Sequence, residues 1–267
     1  MFDDCTEPRA LGGAAVDHSL AGKRALVTGS SRGIGRTIAL ALAELGVDVA
    51  INYLRNRARA QETARAIEGR GVRCLLLKGN VAKPEQVEGM FELIRERWGS
   101  LEILISNAAS GVLRPARDLT LHHFHWAMDI NAAALLPLTQ GLVALPATGG
   151  KVVVAVSSLG AVRAIPNYTA VGASKAALES MVRHLAAEFA PEGVRINAVS
   201  AGTVDTEALS HFPNREELLE GSRLRTPAGR LAQPQDVANA VVFLCSDYAQ
   251  MIHGQTLVID GGYSIVA

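Results

Sequence analysis

From Lys23 onward the chain alternates short, dense apolar runs with longer amphipathic ones. The apolar runs cover 24–28, 47–52, 72–77, 101–106, 151–157, 195–200 and 256–260. They are rich in Val, Ile and Leu without regular polar alternation, which predicts strands buried on both faces of a parallel sheet. Between them apolar residues recur at helical spacing: in 34–45, Ile38, Ala41, Leu42 and Leu45 share one face. Segments 58–68, 84–98, 120–144, 167–190 and 234–245 read the same way. Pro84 and Pro234 fall in first helical turns, where proline is tolerated. Seven strands separated by helix-length segments predict right-handed crossovers, and so an α/β fold: a doubly wound, parallel, seven-stranded sheet with helices on both faces.

No Pro/Gly/Ser linker, charge block or repeat divides the pattern, so 21–267 is expected to form one domain. Residues 1–20, which mix Asp3, Asp4, Glu7 and Asp17 with short apolar stretches, read as a loose N-terminal extension and not as a signal peptide. One stretch breaks the rhythm. Residues 202–230 carry Pro213 and Pro227, a helical patch at 215–221 and no strand. A long insertion after a strand's carboxyl end lies over the ligand crevice in this architecture, so the stretch is read as a substrate lid.

Composition narrows the function. The 267 residues are 49% hydrophobic and 19% charged, which excludes a disordered chain. Lys+Arg and Asp+Glu both count 26, leaving no global field to gather nucleic acid or an anionic membrane. No apolar run approaches the roughly 20 residues that span a bilayer. Cys5, Cys74 and Cys245 are too few and scattered for a disulfide framework, so a reduced, cytoplasmic protein is expected.

Strand one runs into Thr28-Gly29-Ser30-Ser31-Arg32-Gly33-Ile34-Gly35. Glycines let a backbone turn sharply and approach a pyrophosphate, while the next helix points its N–H groups at the anion. After a first strand and before an amphipathic helix, the turn predicts a dinucleotide site, and makes the fold Rossmann-type. Strand two ends Ile51-Asn52-Tyr53-Leu54-Arg55-Asn56-Arg57, with no carboxylate to grip an adenosine ribose. Arg32 and Arg55 would instead pair with a 2′-phosphate, which selects NADPH. Arg57 and Arg59 are read as the solvated start of a helix.

These residues, with Asn107-Ala108-Ala109 after strand four, Asn131, Ser157-Ser158 and Lys175, resemble the short-chain dehydrogenase/reductase family from about Leu20 to the C-terminus. Most members place a tyrosine four residues before the lysine. Here that position is Val171, and the nearest tyrosine is Tyr168, a Tyr-x6-Lys spacing similar to that of enoyl thioester reductases. Longer strings point the same way: Asn107-Ala-Ala-Ser-Gly-Val-Leu-Arg-Pro115, Ser157-Ser-Leu-Gly, His211-Phe-Pro-Asn-Arg-Glu-Glu217, Thr226-Pro-Ala-Gly-Arg230 and Met251-Ile-His-Gly-Gln-Thr256. They resemble the NADPH-linked enoyl-acyl-carrier-protein reductase III (FabL-like) branch. Ser158 stands where other enoyl reductases often carry a second aromatic residue.

The resemblance implies reduction of a trans-2-enoyl thioester, on acyl-carrier protein or CoA, in fatty acid elongation. It implies cofactor contacts from Gly29, Ser31, Arg32, Gly33, Ile34 and Gly35, from Arg55, Asn80 and Val81, from Asn107 and Ala108, and from Lys175, Gly202, Thr203 and Thr206. Catalysis falls to Tyr168, Lys175 and Ser158. Seven residues are close to two helical turns, which puts Tyr168 and Lys175 on one face about 10 Å apart along the axis. Such a tyrosine suits a substrate whose hydride acceptor, C3, lies several bonds from the thioester oxygen that collects charge. Tyr168 is expected to be a neutral donor made more acidic by a nearby cation.

Alternatives remain: an enoyl-CoA reductase of a specialised pathway, a carbonyl reductase, or a cofactor-binding regulator without turnover, for which Val171 speaks. His122, His123 and His125 read as a polar helix face, with no metal. Arg223, Arg225 and Arg230 are either a basic rim for an acidic carrier or ordinary solvated charges. Family members commonly form homotetramers through helices 120–144 and 167–190 and the last strand.

Overall fold

The computed structural model describes residues 18–205 and 215–266. Most of the extension, including Cys5, and Thr206 with the His211–Asn214 part of the proposed lid lie outside them. Seven strands form one parallel sheet: β1 (Arg24–Val27), β2 (Asp48–Tyr53), β3 (Cys74–Lys78), β4 (Ile103–Ser106), β5 (Lys151–Ser158), β6 (Val194–Ala201) and β7 (Thr256–Ile259). Their spatial order is β3-β2-β1-β4-β5-β6-β7, so the winding reverses between β1 and β4. Ligands bind outside the carboxyl ends of strands at such a reversal.

The period-two geometry of the strands sorts their dense apolar residues onto two cores. Ala25, Val27, Ile103, Ile105, Val152 and Val154 face α1 (Gly33–Glu44), α2 (Arg57–Glu68) and α8 (Pro234–Cys245). Leu26, Leu104, Val153 and Ala155 face α3 (Pro84–Trp98), α5 (Leu135–Val143) and α6 (Thr169–Phe189). A fully buried side chain such as Leu26 or Ile105 contributes about 1.5–3 kcal/mol to stability. The two remaining helices are α4 (Leu121–Met128), packed on α6, and α7 (Arg215–Arg225).

Three expected helices differ in detail. The single helix expected at 120–144 is α4 and α5 joined by a π-helical turn, Asp129–Ala133. The helix expected from 167 begins only at Thr169, because Asn167 takes a left-handed φ of 63°. The short patch expected at 215–221 extends to Arg225. No described helix is long and apolar enough to cross a membrane.

Candidate active site

The turn after β1 is held from three sides. The Ser30 hydroxyl donates to the Val27 carbonyl (2.7 Å), and the Gly29 N–H donates to Asn52 Oδ1 (3.2 Å). Asn52 is buried, and its amide nitrogen donates to the carbonyls of Leu77 (3.2 Å) and Gly79 (3.0 Å), tying the turn to the ends of β2 and β3. From the other side, the N–H groups of Asn107 and Ala108 donate to Thr28 Oγ1 at 2.9 and 3.0 Å. Asn107 Nδ2 donates to the carbonyls of Thr28 (2.8 Å) and Gly29 (3.2 Å).

This close approach explains the glycines. Gly29 has φ +63°, and a Cβ there would come within 2.9 Å of the Ala108 backbone; one on Gly35 would strike the Asn107 amide. Arg32 is the N-cap of α1, and its side chain makes no capping hydrogen bond to the helix end. The first-turn N–H groups of Gly33, Ile34 and Gly35 therefore present an anion site reinforced by the helix dipole. Ser31 is partly buried beside them, while Arg32 and Arg55 are exposed. These features fit the pyrophosphate of a dinucleotide. Asn80 has its amide oxygen occupied by the Ala82 N–H (3.1 Å), leaving its amide nitrogen as a donor, and Val81 is buried beside it. As read from the sequence, Arg57 and Arg59 open α2, whose N-terminus is capped by Asn56.

The second half of the site grows from β5 and α6. Ser158 ends β5, and its Oγ accepts the Gly160 N–H (3.1 Å) and shares a 3.3 Å hydrogen bond with the Tyr168 hydroxyl. Tyr168 is the N-cap residue of α6, not an interior position of the helix, and its carbonyl accepts the Gly172 N–H at 2.7 Å. The preceding Asn167 carbonyl accepts the Arg114 N–H (3.1 Å), which fastens the tyrosine's approach to the loop after β4. The Tyr168 ring lies over Gly160, where a Cβ would come within 2.5 Å of ring carbon Cδ1.

Val171 does not face this site as a vacant slot. It is buried, and its Cγ2 occupies the place a Cβ on Gly111 would need. Lys175 lies further along α6, 5% exposed, with Nζ donating to the Val156 carbonyl (2.7 Å). Burial lowers its ammonium to about 8, against the opposing field of Glu179. Burial pushes the Tyr168 phenol above its usual range, and the Ser158 hydrogen bond pulls less strongly the other way. The expected acidification of Tyr168 is therefore corrected: desolvation dominates, and the phenol stays a neutral donor.

Ser158 and Tyr168 line a cavity of about 610 Å³. Ile34 from the phosphate turn reaches it, as do Gly202 and Thr203 after β6, so it joins the dinucleotide turn to the Ser–Tyr pair. Its outer wall includes Gly221, Ser222 and Arg225 of α7, and Tyr263, Ser264 and Val266 after β7. Thr203 donates to the Ser222 hydroxyl (3.1 Å), and the Arg225 guanidinium lies 5.2 Å from the Tyr263 ring centroid. Asn131, in the π turn, exchanges hydrogen bonds with the Ser110 backbone (2.8 and 2.9 Å) and donates to Ser174 Oγ (2.9 Å).

Other candidates resolve into structure. His123 completes a capping box with Thr120, taking up its Nδ1 at 3.3 Å. Arg223 is paired with Glu220 (2.6 Å) and Arg230 with Asp236 (2.6 Å), so the basic rim is largely neutralised in place. Burial pushes the thiols of Cys74 and Cys245 up to about 12, which excludes either as a thiolate nucleophile at neutral pH.

A family model described as enoyl-(acyl carrier protein) reductase matches residues 29–264, from the phosphate turn to the cavity wall. The chain belongs to this enoyl reductase family. Among its relatives, 1-cyclohexenylcarbonyl-CoA reductase of Streptomyces collinus is 42% identical over 244 residues, covering 91% of this chain and 87% of the other. The NADH-linked enoyl-[acyl-carrier-protein] reductase FabI of a Synechocystis species is 34% identical, covering 92% and 98%. A short chain dehydrogenase from Burkholderia cenocepacia, solved in complex with NADP, superposes with a TM-score of 0.85 at 33% identity, covering 92% and 99%. Membership makes the protein an oxidoreductase of the enoyl reductase class, and its relatives and solved neighbours act with nicotinamide cofactors.

For this enoyl reductase, sequence reasoning missed Asn52, Gly160, Gly111 and Glu179. Asn52 was readable only as the absence of a carboxylate. The others act through neighbours distant in the chain or one helical turn away.

Proposed function

We propose that the protein reduces the 2,3 double bond of a trans-2-enoyl thioester with NADPH. The observation that carries this reading is the Tyr168–Ser158 hydroxyl pair on the wall of a cavity reached from the phosphate turn, with Val171 packed away against Gly111. NADPH, when bound, would supply the hydride that C3 accepts, and solvent the proton that C2 takes up as the enolate collapses. Tyr168, neutral because it is desolvated, donates a hydrogen bond to the thioester oxygen as it gains enolate charge, and Ser158 fixes the phenol's direction. A donor aimed at such developing charge contributes about 2.7–4 kcal/mol. Lys175, protonated below about pH 8, offers its N–H groups to the nicotinamide ribose and its charge to the same oxyanion. The Gly29–Gly35 turn and the open end of α1 hold the pyrophosphate, with Asn80, Val81, Asn107, Ala108 and Thr203 along the cofactor's length.

Exposed Arg32 and Arg55, with no carboxylate after β2, support NADPH over NADH. Residues 202–230 serve as the lid, α7 already forming part of the cavity wall. β7, an edge strand that leaves Leu257 and Val258 exposed, supports assembly with further copies, a tetramer being the family pattern. Acyl-carrier protein in fatty acid elongation is the first carrier reading. CoA is the second, favoured by the 42% identical CoA-thioester reductase and by the neutralised Arg223 and Arg230.

The experiment follows NADPH and NADH absorbance with crotonyl-CoA, crotonyl-acyl-carrier protein, a 3-ketoacyl thioester and no substrate. Oxidation of NADPH in preference to NADH, and only with the enoyl thioesters, is expected. Turnover of the ketone alone, or of nothing, contradicts the proposal.

A further inference from the structure

One buried acidic group has no part in the mechanism above. Glu179 lies on α6, one helical turn beyond Lys175, and is only 8% exposed. Residues four apart on a helix are neighbours on one face. Its Oε1 accepts a short hydrogen bond (2.5 Å) from the hydroxyl of Ser157, the residue before Ser158. A carboxylate taken out of water at this depth is costly unless it is hydrogen-bonded and its charge is answered. Ser157 supplies the hydrogen bond; Lys175 is the buried cation on the same helix face.

We infer that Glu179, held by Ser157, is the positioning residue that keeps Lys175 protonated and directed along β5 toward the cofactor ribose. The inference rests on the role given to Lys175 above. Glu179 touches neither substrate nor cofactor in this account; it acts through the ammonium.

Among the described residues, the surroundings leave this task to Glu179. At this height β5 contributes the uncharged Ser157 and Ser158, and its Lys151 lies at the strand's other end, bonded to the carbonyls of Val143 and Leu145. From β6, Arg195 is turned to the carbonyls of Leu244, Ser246 and Ala249. His122, His125 and Asp129 of α4 and the π turn are exposed, and His123 is committed to its capping box. α5 carries no ionisable residue, and the turn at 159–161 carries none. Glu192, after α6, is exposed. On α6 itself Arg183, His184 and Glu188 lie two or more turns beyond Lys175, and Tyr168 stays neutral. Burial drives the Lys175 ammonium toward deprotonation, and Glu179 is the charge that opposes it.

The sign of the effect follows. With the carboxylate removed, desolvation acts unopposed and the lysine loses its proton at lower pH; a nearby opposite charge typically holds such a group by about 1–3 pH units. The test uses the full-length protein with ¹³C-labelled lysine. The chain has five lysines, so five Cε resonances can be followed, and Lys175→Met assigns the one of interest. In Glu179→Gln its midpoint is expected at least about one pH unit below wild type, with recovery in Glu179→Asp. NADPH binding, read by fluorescence, should weaken in Glu179→Gln from a correspondingly lower pH, and the alkaline limb of kcat/KM should move down with it. An unmoved midpoint in a folded Glu179→Gln protein overturns the inference, as does an equal loss of activity at every pH. This outcome is separable from failure of the proposed function: a wild-type protein inert toward enoyl thioesters defeats the function, while the lysine midpoint is still read without turnover.

Discussion

At the residue scale the account depends on small residues that make room for larger ones. Gly160 is the clearest case, because the Tyr168 ring occupies the space its Cβ would take. Gly160→Ala is expected to push the phenol off its line to the thioester oxygen; a misplacement of about 1 Å costs about 10²-fold in rate. Steady-state kinetics should show this in kcat with KM for NADPH little changed. Gly149→Ala, with open space around its Cβ, should leave both unchanged. Alkaline pH acts on the same site through Lys175. Tyr168 is raised and so remains protonated, whereas burial lowers Lys175 to about 8, so kcat/KM is expected to fall above that pH as the lysine loses its proton. The tyrosine's identity and its spacing to Lys175 are legible in the letters. Its higher pKa is not, since it comes from burial that only the folded chain shows.

At the element scale, the strands and most helices follow from pattern alone. Dense Val and Ile runs become the central strands, and α3 and α8 occupy the spans expected from Pro84 and Pro234. The π turn at Asp129–Ala133 was not legible, because Asp-Ile-Asn-Ala-Ala has no residue that forbids an α-helix; Asn131's bonds to Ser110 and Ser174 fix it there. The late start of α6 depends likewise on Asn167, whose left-handed backbone is one that asparagine tolerates. Val171 shows what the helix does with the position where the resemblance leads one to expect a tyrosine: it packs α6 onto the loop after β4 at Gly111. Gly111→Ala should therefore overpack this contact and lower stability by about 1–3 kcal/mol in denaturant unfolding. Val171→Ala, made in the Gly111→Ala background, should recover part of the loss. Additive losses would show that the two residues do not meet.

At the scale of the whole molecule, the reversal between β1 and β4 gathers groups from the full length of the chain. The turn at 28–35, the end of β5, the start of α6, α7 and the segment after β7 converge on one cavity. The glycine spacing after β1 made the cofactor half readable, because a backbone motif declares itself locally. Asn52, Glu179 and the Arg225–Tyr263 contact gain their meaning from distant neighbours, and so appear only in the fold. The account's central claim is that the Tyr168 hydroxyl meets the charge shed onto the thioester oxygen. Its most direct test is the single-turnover rate of crotonyl-thioester reduction by Tyr168→Phe at saturating NADPH. A fall of about 10²–10³-fold with NADPH affinity preserved is predicted; reduction at the wild-type rate would contradict it.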